Sequence, residues 1–456
     1  MKRDLKYLSI PLPESVLRMK MYGDYEGALK MIDYLMGLEK TSQIMRERLA
    51  MEKEILEIMG DSEYPYDFQT ASGIMAENIK DYQEEELVKL KETGEADWIY
   101  KNGKVFFQNR FFENLIKTRP DYEARCIHPD EEEEAEKKQD LLNKNVRLMK
   151  EQGGRTVRIR LRVSIKPAKE YERPGEKARI HLPIPKDCKQ ISGFRILKAA
   201  PEVTSLAPSE APQRTAYFET VLNAGEKVEI EYEYINHVDY IELDPAKASL
   251  AQPTFYTEEQ SPHMVFTPYL RSLLEEILQG EKNPVNKARK IYDYVTTHVM
   301  YSFMREYYCI ENISEYAAVN LKGDCGVQAL LFITLCRMAG IPARWQSGLY
   351  VTEPYTGCHD WAQFYIAPYG WVFADLSFGG SAYRAGEMER WNYYFGNLDV
   401  FRMVANSDIQ SELMPPKKHL RADEIDNQIG EIEFEDRGLL RSQLEAEQEL
   451  LEMTDL

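Results

Sequence analysis

The sequence predicts a multidomain α+β protein: a helical N-terminal region, an antiparallel β-sandwich, and a core with a central helix packed on an antiparallel sheet. Three patterns carry this prediction. Apolar residues recur at helical spacing in the first part of the chain. Strict period-two alternation then runs through Thr156–Lys166. An apolar helix begins near Cys325 and is followed by three strand-like segments. The 456 residues suit roughly two to four domains. Composition places them at 1–152 (helical, with a β-hairpin near 97–107), 154–240 (sandwich), 260–405 (core) and 406–456 (an acidic C-terminal extension).

The chain is 43% hydrophobic and 29% charged, with a formal net charge of −19. That balance provides for real cores and argues against nucleic-acid binding, which needs a basic face to displace counterions. The N-terminus, Met1 to Pro11, starts basic but lacks the apolar run of a signal peptide. No stretch reaches the ~18 apolar residues of a membrane span. Cys126, Cys188, Cys309, Cys325, Cys336 and Cys358 are scattered, with no CxxC. A reducing, cytoplasmic setting with no membrane partner is therefore expected.

In the N-terminal region, Tyr25, Ala28, Leu29, Ile32, Leu35 and Met36 share one helical face. Leu49, Ile55, Leu56 and Met59 mark a second helix. Asn102-Gly103 between apolar runs predicts a hairpin, since both residues tolerate positive φ. The aromatic residues around it are expected in a core. The acidic run Glu131–Glu134 is expected to be solvated.

Gly153-Gly154 opens the β region. Ile180, Leu182 and Ile184, then Val228, Ile230, Tyr232 and Tyr234, repeat the alternation, so several strands should stack as a sandwich. Arg158, Arg160 and Arg162 form the wet face of the first strand rather than a binding stripe. Further on, Asn283-Pro284 is a helix cap followed by proline at the first helical position. The central helix starts at Asp324 or Cys325 and runs to Ala339, where Gly340 and Pro342 stop it. Strands are expected at Ala343–Val351, Asp360–Ile366 and Trp371–Leu376, and an amphipathic helix at Gly438–Met453.

Chemistry centres on Cys325. A cysteine on the first turn of a helix faces unpaired N–H groups and the positive dipole end, which favour thiolate. The backbone N–H groups of Cys325 and Gly326 are candidates to hold an oxyanion. His359 opens one strand and Asp375 ends the next. If they meet, Asp375 orients the imidazole and His359 exchanges a proton with Cys325. With the hairpin centred on Ala367, His359 and Asp375 would face each other directly, whereas a four-residue turn at 367–370 would offset them by about three residues and require a bulge or strong twist. Cys336, deep in the apolar helix, is expected to be inert. Adjacent Cys358-His359 has the wrong spacing for a metal site, and neither metal nor cofactor is expected.

Lys322–Leu330, then Arg337–Arg344, then His359–Ala362, then Trp371–Asp375 resemble the core of the transglutaminase-like superfamily, over roughly 260–405. The family includes transglutaminases, cysteine-protease-like bacterial and archaeal proteins, and peptide N-glycanases. The resemblance implies a papain-like thiol core with Cys325 as nucleophile, His359 as base and acid, and Asp375 as orienting residue. It implies an upstream polar or aromatic group near the oxyanion, for which Tyr301, Tyr307 and Tyr308 are candidates. It gives Arg344 a structural role, and the region 154–240 has the position of the β-domain that precedes this core in many bacterial members.

The expected function is thiol-dependent cleavage of an amide, peptide or isopeptide bond through an acyl-thioenzyme, with a protein or peptide substrate. Transamidation is the first alternative; peptide N-glycanase activity ranks third, since the zinc-binding cysteine pairs often attached to that branch are absent. The rival from another class is a non-catalytic binding protein that keeps the fold. Trp345, Tyr350, Tyr355, Trp361 and Trp391 are candidate groove residues, with core packing an equal explanation for Trp345 and Trp361.

Overall fold

The computed structural model describes residues 5–127 and 132–456. It divides into two compact units. The first holds the described residues of Arg3–Ala135 together with Met300–Glu311. Its helix Tyr25–Gly37 is capped by Asp24, whose carboxylate accepts the Gly27 N–H at 2.9 Å. Tyr25, Ala28 and Ile32 are buried, while Leu29, Leu35 and Met36 are only partly so. Leu49, Ile55 and Leu56 are buried on the helix Gln43–Ile58. Strands Trp98–Lys101 and Lys104–Phe107 form the expected hairpin. Asn102 and Gly103 take φ of 48° and 81°, as a type I′ turn requires. Phe107 enters a core with Met75, Leu87, Leu90, Phe111 and Leu115, whereas Tyr100 is exposed. Of the acidic run, Glu131 lies outside the described residues, as do the side chains of Glu132–Glu134 at the start of helix Glu132–Gln152.

The second unit holds Glu136–Val299 with Asn312–Leu456. Its sandwich strands are β1 (Gly154–Pro167), β2 (Lys177–Pro183), β3 (Ile191–Ala200), β4 (Ser205–Leu206), β5 (Thr215–Val221) and β6 (Val228–Asp239). Its core elements are α1 (Pro268–Leu278), α2 (Pro284–His298), α3 (Ile313–Asn320), α4 (Cys325–Met338), β7 (Ala343–Val351), β8 (Thr356–Ile366), β9 (Gly370–Ala374), α5 (Leu376–Arg384), α6 (Met388–Tyr393), β10 (Phe395–Gly396) and β11 (Arg402–Asn406). Two late strands, β12 (Glu431–Glu433) and β13 (Leu444–Asp455), complete the sandwich. Its sheets run β13-β1-β6-β3 and β12-β2-β5-β4, and the core sheet runs β10-β9-β8-β7-β11.

The helix expected at Gly438–Met453 is instead a short turn and the strand β13, paired antiparallel to β1. The reason lies in the partner. Alternating Val157, Ile159, Leu161 and Val163 are buried, which leaves a cationic outer row on β1. Glu445 and Glu449 stand opposite Lys166 and Arg162, and both pairs close at 2.7 Å. Arg160 pairs with Glu231 on β6. These ion pairs are partly exposed and individually weak. Together with the backbone ladder they align the charges of β13 in register. Arg160 and Arg162 of the row are therefore taken up within the sheet.

His181 on β2 is buried, and its Nδ1 lies 2.8 Å from Thr215 Oγ1. Burial, then the charges of Lys417 and Arg421, hold its imidazole down to about 3, against an ordinary 6.5. The unfolded chain gains this proton first as pH falls. The neutral imidazole thus stabilises the fold fully above pH 6.5, and the contribution is lost as pH drops toward 3. That interval corresponds to up to roughly 5 kcal/mol. His181→Gln is expected to flatten the fall in melting temperature between about pH 7 and 4. An unchanged slope in a calorimetric pH series would remove His181 as its source.

Candidate active site

Asp324 caps α4 by accepting the Val327 N–H at 3.0 Å, which sets Cys325 as the first helical residue. Every residue from Gly326 to Arg337 is buried, as the all-round apolar pattern predicts. Cys325 itself is half-buried, and Cys336 is fully enclosed. The Asp324 carbonyl accepts from Gln328 N–H at 3.0 Å. With Val327 taken by the cap, the N–H groups of Cys325 and Gly326 are the ones without an intrahelical partner.

The β8–β9 hairpin decides how His359 meets Asp375. Ile366 pairs with Gly370 and Ala362 with Ala374, so the loop is Ala367-Pro368-Tyr369. Continuing this register puts Trp361 opposite Asp375 and His359 two residues further along. An even offset keeps both side chains on one face, and a diagonal separation of about 7–8 Å is within side-chain reach. The His359 Nε2 to Asp375 Oδ2 distance is 2.8 Å. The contact forms without the bulge that the turn length predicts in this hairpin. Asp375 also caps α5, its Oδ1 accepting the Phe378 N–H at 3.0 Å.

Arg402 on β11 was not legible as a site residue in the sequence. Its Nη2 donates to Asp375 Oδ2 and Asp399 Oδ2, each at 2.8 Å, and all three side chains are fully buried. Burial alone would raise the Asp375 carboxyl, but His359 and Arg402 outweigh it and hold it below its ordinary value. Burial holds the His359 imidazole down despite the upward pull of Asp375, and Arg402 adds to the lowering. An ionised Asp375 accepts the Nε2 proton, so Nδ1 is the nitrogen left for proton exchange. The imidazole packs against Phe378, with ring centroids 4.7 Å apart, and lies nearly parallel to Trp361 at 5.9 Å.

The thiol makes a different contact. Cys325 Sγ donates to Asp360 Oδ2 at 3.2 Å, and among the described residues no hydrogen bond joins it to His359. Strand alternation explains this. His359 and Trp361 share a face with Gly348 and Gln346 of β7, and Trp361 Nε1 donates to Gln346 Oε1 at 2.7 Å. Asp360 and Phe364 point the other way, where Phe364 meets Phe332 of α4. Cys325 therefore meets the residue that follows His359. Burial, then the carboxylates of Asp360 and Asp324, push the Cys325 thiol up, opposite to the direction the helix terminus alone predicts. Burial, Asp426 and Asp324 likewise push the Asp360 carboxyl up.

Among the aromatic candidates, Trp345, Tyr350 and Trp361 are core side chains, and Tyr355 is exposed. Arg344 donates to Gln363 at 2.7 Å and stacks on Trp371, which fits a structural role. Tyr301, Tyr307 and Tyr308 belong to the first unit, where Tyr301 packs edge-on against Phe303.

No curated protein matches the sequence significantly. Among solved structures, a proposed cysteine protease from Cytophaga hutchinsonii matches with a TM-score of 0.43 and 14% identity, over 66% of this chain and 91% of its own. The periplasmic domain of TgpA from Pseudomonas aeruginosa matches with a TM-score of 0.26 and 15% identity, over 52% and 92%. A proposed protease from Parabacteroides distasonis gives 0.22 and 10%, over 48% and 42%. No helix among the described residues is long and apolar enough to cross a membrane. The model for the transglutaminase-like superfamily matches residues 271–376, the stretch that carries Cys325, His359 and Asp375.

Proposed function

We propose that the chain is a thiol-dependent hydrolase of peptide or isopeptide bonds, with Cys325 as nucleophile, His359 as base and acid, and Asp375 as the group that orients His359. The observation that carries this reading is the buried His359–Asp375 pair at 2.8 Å, with Cys325 at the N-terminus of α4 bonded to the residue that follows His359. The proton passes from Cys325 Sγ to His359 Nδ1, and sulfur then adds to the acyl carbon. The Cys325 and Gly326 N–H groups face the developing oxyanion. The imidazolium protonates the leaving amine, and water resolves the thioester. An amine in place of water gives transamidation.

A second reading, a binding protein that keeps the fold, is favoured by one observation: the thiol is hydrogen-bonded to Asp360 rather than to His359. Turnover separates the two. Release of dye-labelled fragments from casein reads hydrolysis, and incorporation of dansylcadaverine into casein reads transamidation. His359→Ala is expected to lower whichever rate is seen by about 100-fold or more. A rate that survives this substitution would sink the thiol–imidazole mechanism.

A further inference from the structure

The thiol of Cys325 has a partner that the reaction does not call for. Asp360 Oδ2 accepts from Sγ at 3.2 Å, and Asp360 is itself held from outside the matched core. Gln428 Nε2 donates to Asp360 Oδ1 at 2.5 Å and to the His359 carbonyl at 3.2 Å. The segment 422–430 that presents Gln428 is tied down at several points. Asp423 Oδ2 accepts the N–H groups of Gln428 and Ile429 at 2.8 and 2.9 Å. Arg441 donates to Asp423 Oδ1 at 2.9 Å, and Gln448 of β13 donates to the Gln428 carbonyl at 3.2 Å. Asp426 in the same segment accepts from Trp345 and Ser347 of β7.

We propose that Asp360 is a positioning residue that parks the Cys325 thiol on its own carboxyl group rather than on His359, and that Gln428 holds Asp360 in that pose. The proposal rests on the thiol reading above and adds a resting state to it. Strand alternation puts Asp360 on the helix-facing side of β8 and His359 on the other. In the parked pose the sulfur is therefore bonded to a carboxylate rather than aimed at Nδ1. The charges that act on the sulfur are acidic, Asp360 on β8 and Asp324 on its own cap; Asp426 acts on Asp360, Asp423 and Arg421 act on Asp426, and Arg441 is bonded to Asp423. A thiolate formed in this pose would stand beside two carboxylates, so the proton stays on sulfur. Release needs the Sγ–Oδ2 bond to break and the sulfur to turn toward His359. The Cys325 proton then moves to Nδ1, which leaves thiolate and imidazolium with no other reactant.

Site-resolved iodoacetamide labelling from about pH 6 to 10, read by mass spectrometry on the full chain, tests this. Asp360→Asn is expected to lower the labelling midpoint of Cys325 by about one unit or more, a roughly 10-fold faster reaction near neutral pH. Gln428→Leu, which leaves the carboxylate in place, is expected to lower it by less. A midpoint that is unchanged or raised in Asp360→Asn overturns the proposal, and a raised one would make Asp360 the base of Cys325. Should Asp360→Asn fail to fold, an unmoved midpoint in Gln428→Leu overturns it equally. The midpoint reports the thiol alone, so it shifts whether or not casein is turned over. Failure of the hydrolase reading is thereby distinguishable.

Discussion

Cys325→Ala is expected to reduce casein turnover or dansylcadaverine incorporation by about 1000-fold or more while leaving the melting temperature within about 2–3 °C. The two halves of this result have separate causes. Removing the nucleophile removes the covalent route altogether, because the remaining N–H donors bind an oxyanion but cannot attack a carbonyl carbon. The fold loses little, because Cys325 is half-buried at the first helical position and contributes neither the cap nor the apolar face. The cap belongs to Asp324 and the face to residues further along α4. Asp360 keeps its bond to Gln428, so no carboxylate is stranded. A loss of stability above about 2 kcal/mol with turnover intact would identify Cys325 as packing instead.

Arg402→Met is expected to cost about 3–5 kcal/mol of stability, a fall in melting temperature of about 5–15 °C. Arg402 is the shared partner of Asp375 and Asp399, and none of the three reaches solvent. Methionine fills the space but leaves two buried carboxylates without their cation, the condition under which breaking a buried pair is most costly. Asp399 retains the Tyr394 hydroxyl and Phe401 N–H, and Asp375 retains the Phe378 N–H and His359. Arg402→Lys is expected to recover part of the loss, because an ammonium supplies the charge without the planar fork. Equal melting temperatures for wild type and Arg402→Met would show that Asp375 and Asp399 do not rely on this residue.

Much of the local structure is set by nearest neighbours in the chain. Asn283-Pro284 caps α2, and the Asn283 carboxamide accepts the Val285 N–H at 3.0 Å. Gly340 takes φ of 77° just past the end of α4, as a helix stop next to proline requires. Alternation through Thr156–Lys166 gives a single strand with its apolar row buried. The pairing of His359 with Asp375 is nearly local as well, since a short hairpin separates them.

The misread segment shows where such signals stop. Leu444–Asp455 has apolar residues at helical spacing, yet its glutamates also suit a strand. Helix and strand were close in local preference, and the cationic row of β1, almost 300 residues earlier, selects the strand. Arg402 and Gln428 were invisible for the same reason. Neither lies in a motif, and each gains its role from a partner brought near by sheet pairing.

By itself, then, the sequence determined the helix that presents Cys325, the strand that carries His359 and the strand that ends just before Asp375, because capping residues, period-two alternation and hairpin length act over a few residues. Only the tertiary structure decided what each group faces. The register of β8 against β9 joins His359 to Asp375, and β11 adds Arg402 to the pair. The packing of α4 on the opposite face of β8 gives Cys325 to Asp360. One residue of alternation along a strand separates the imidazole from the carboxylate that holds the thiol, and that is a property of the folded sheet.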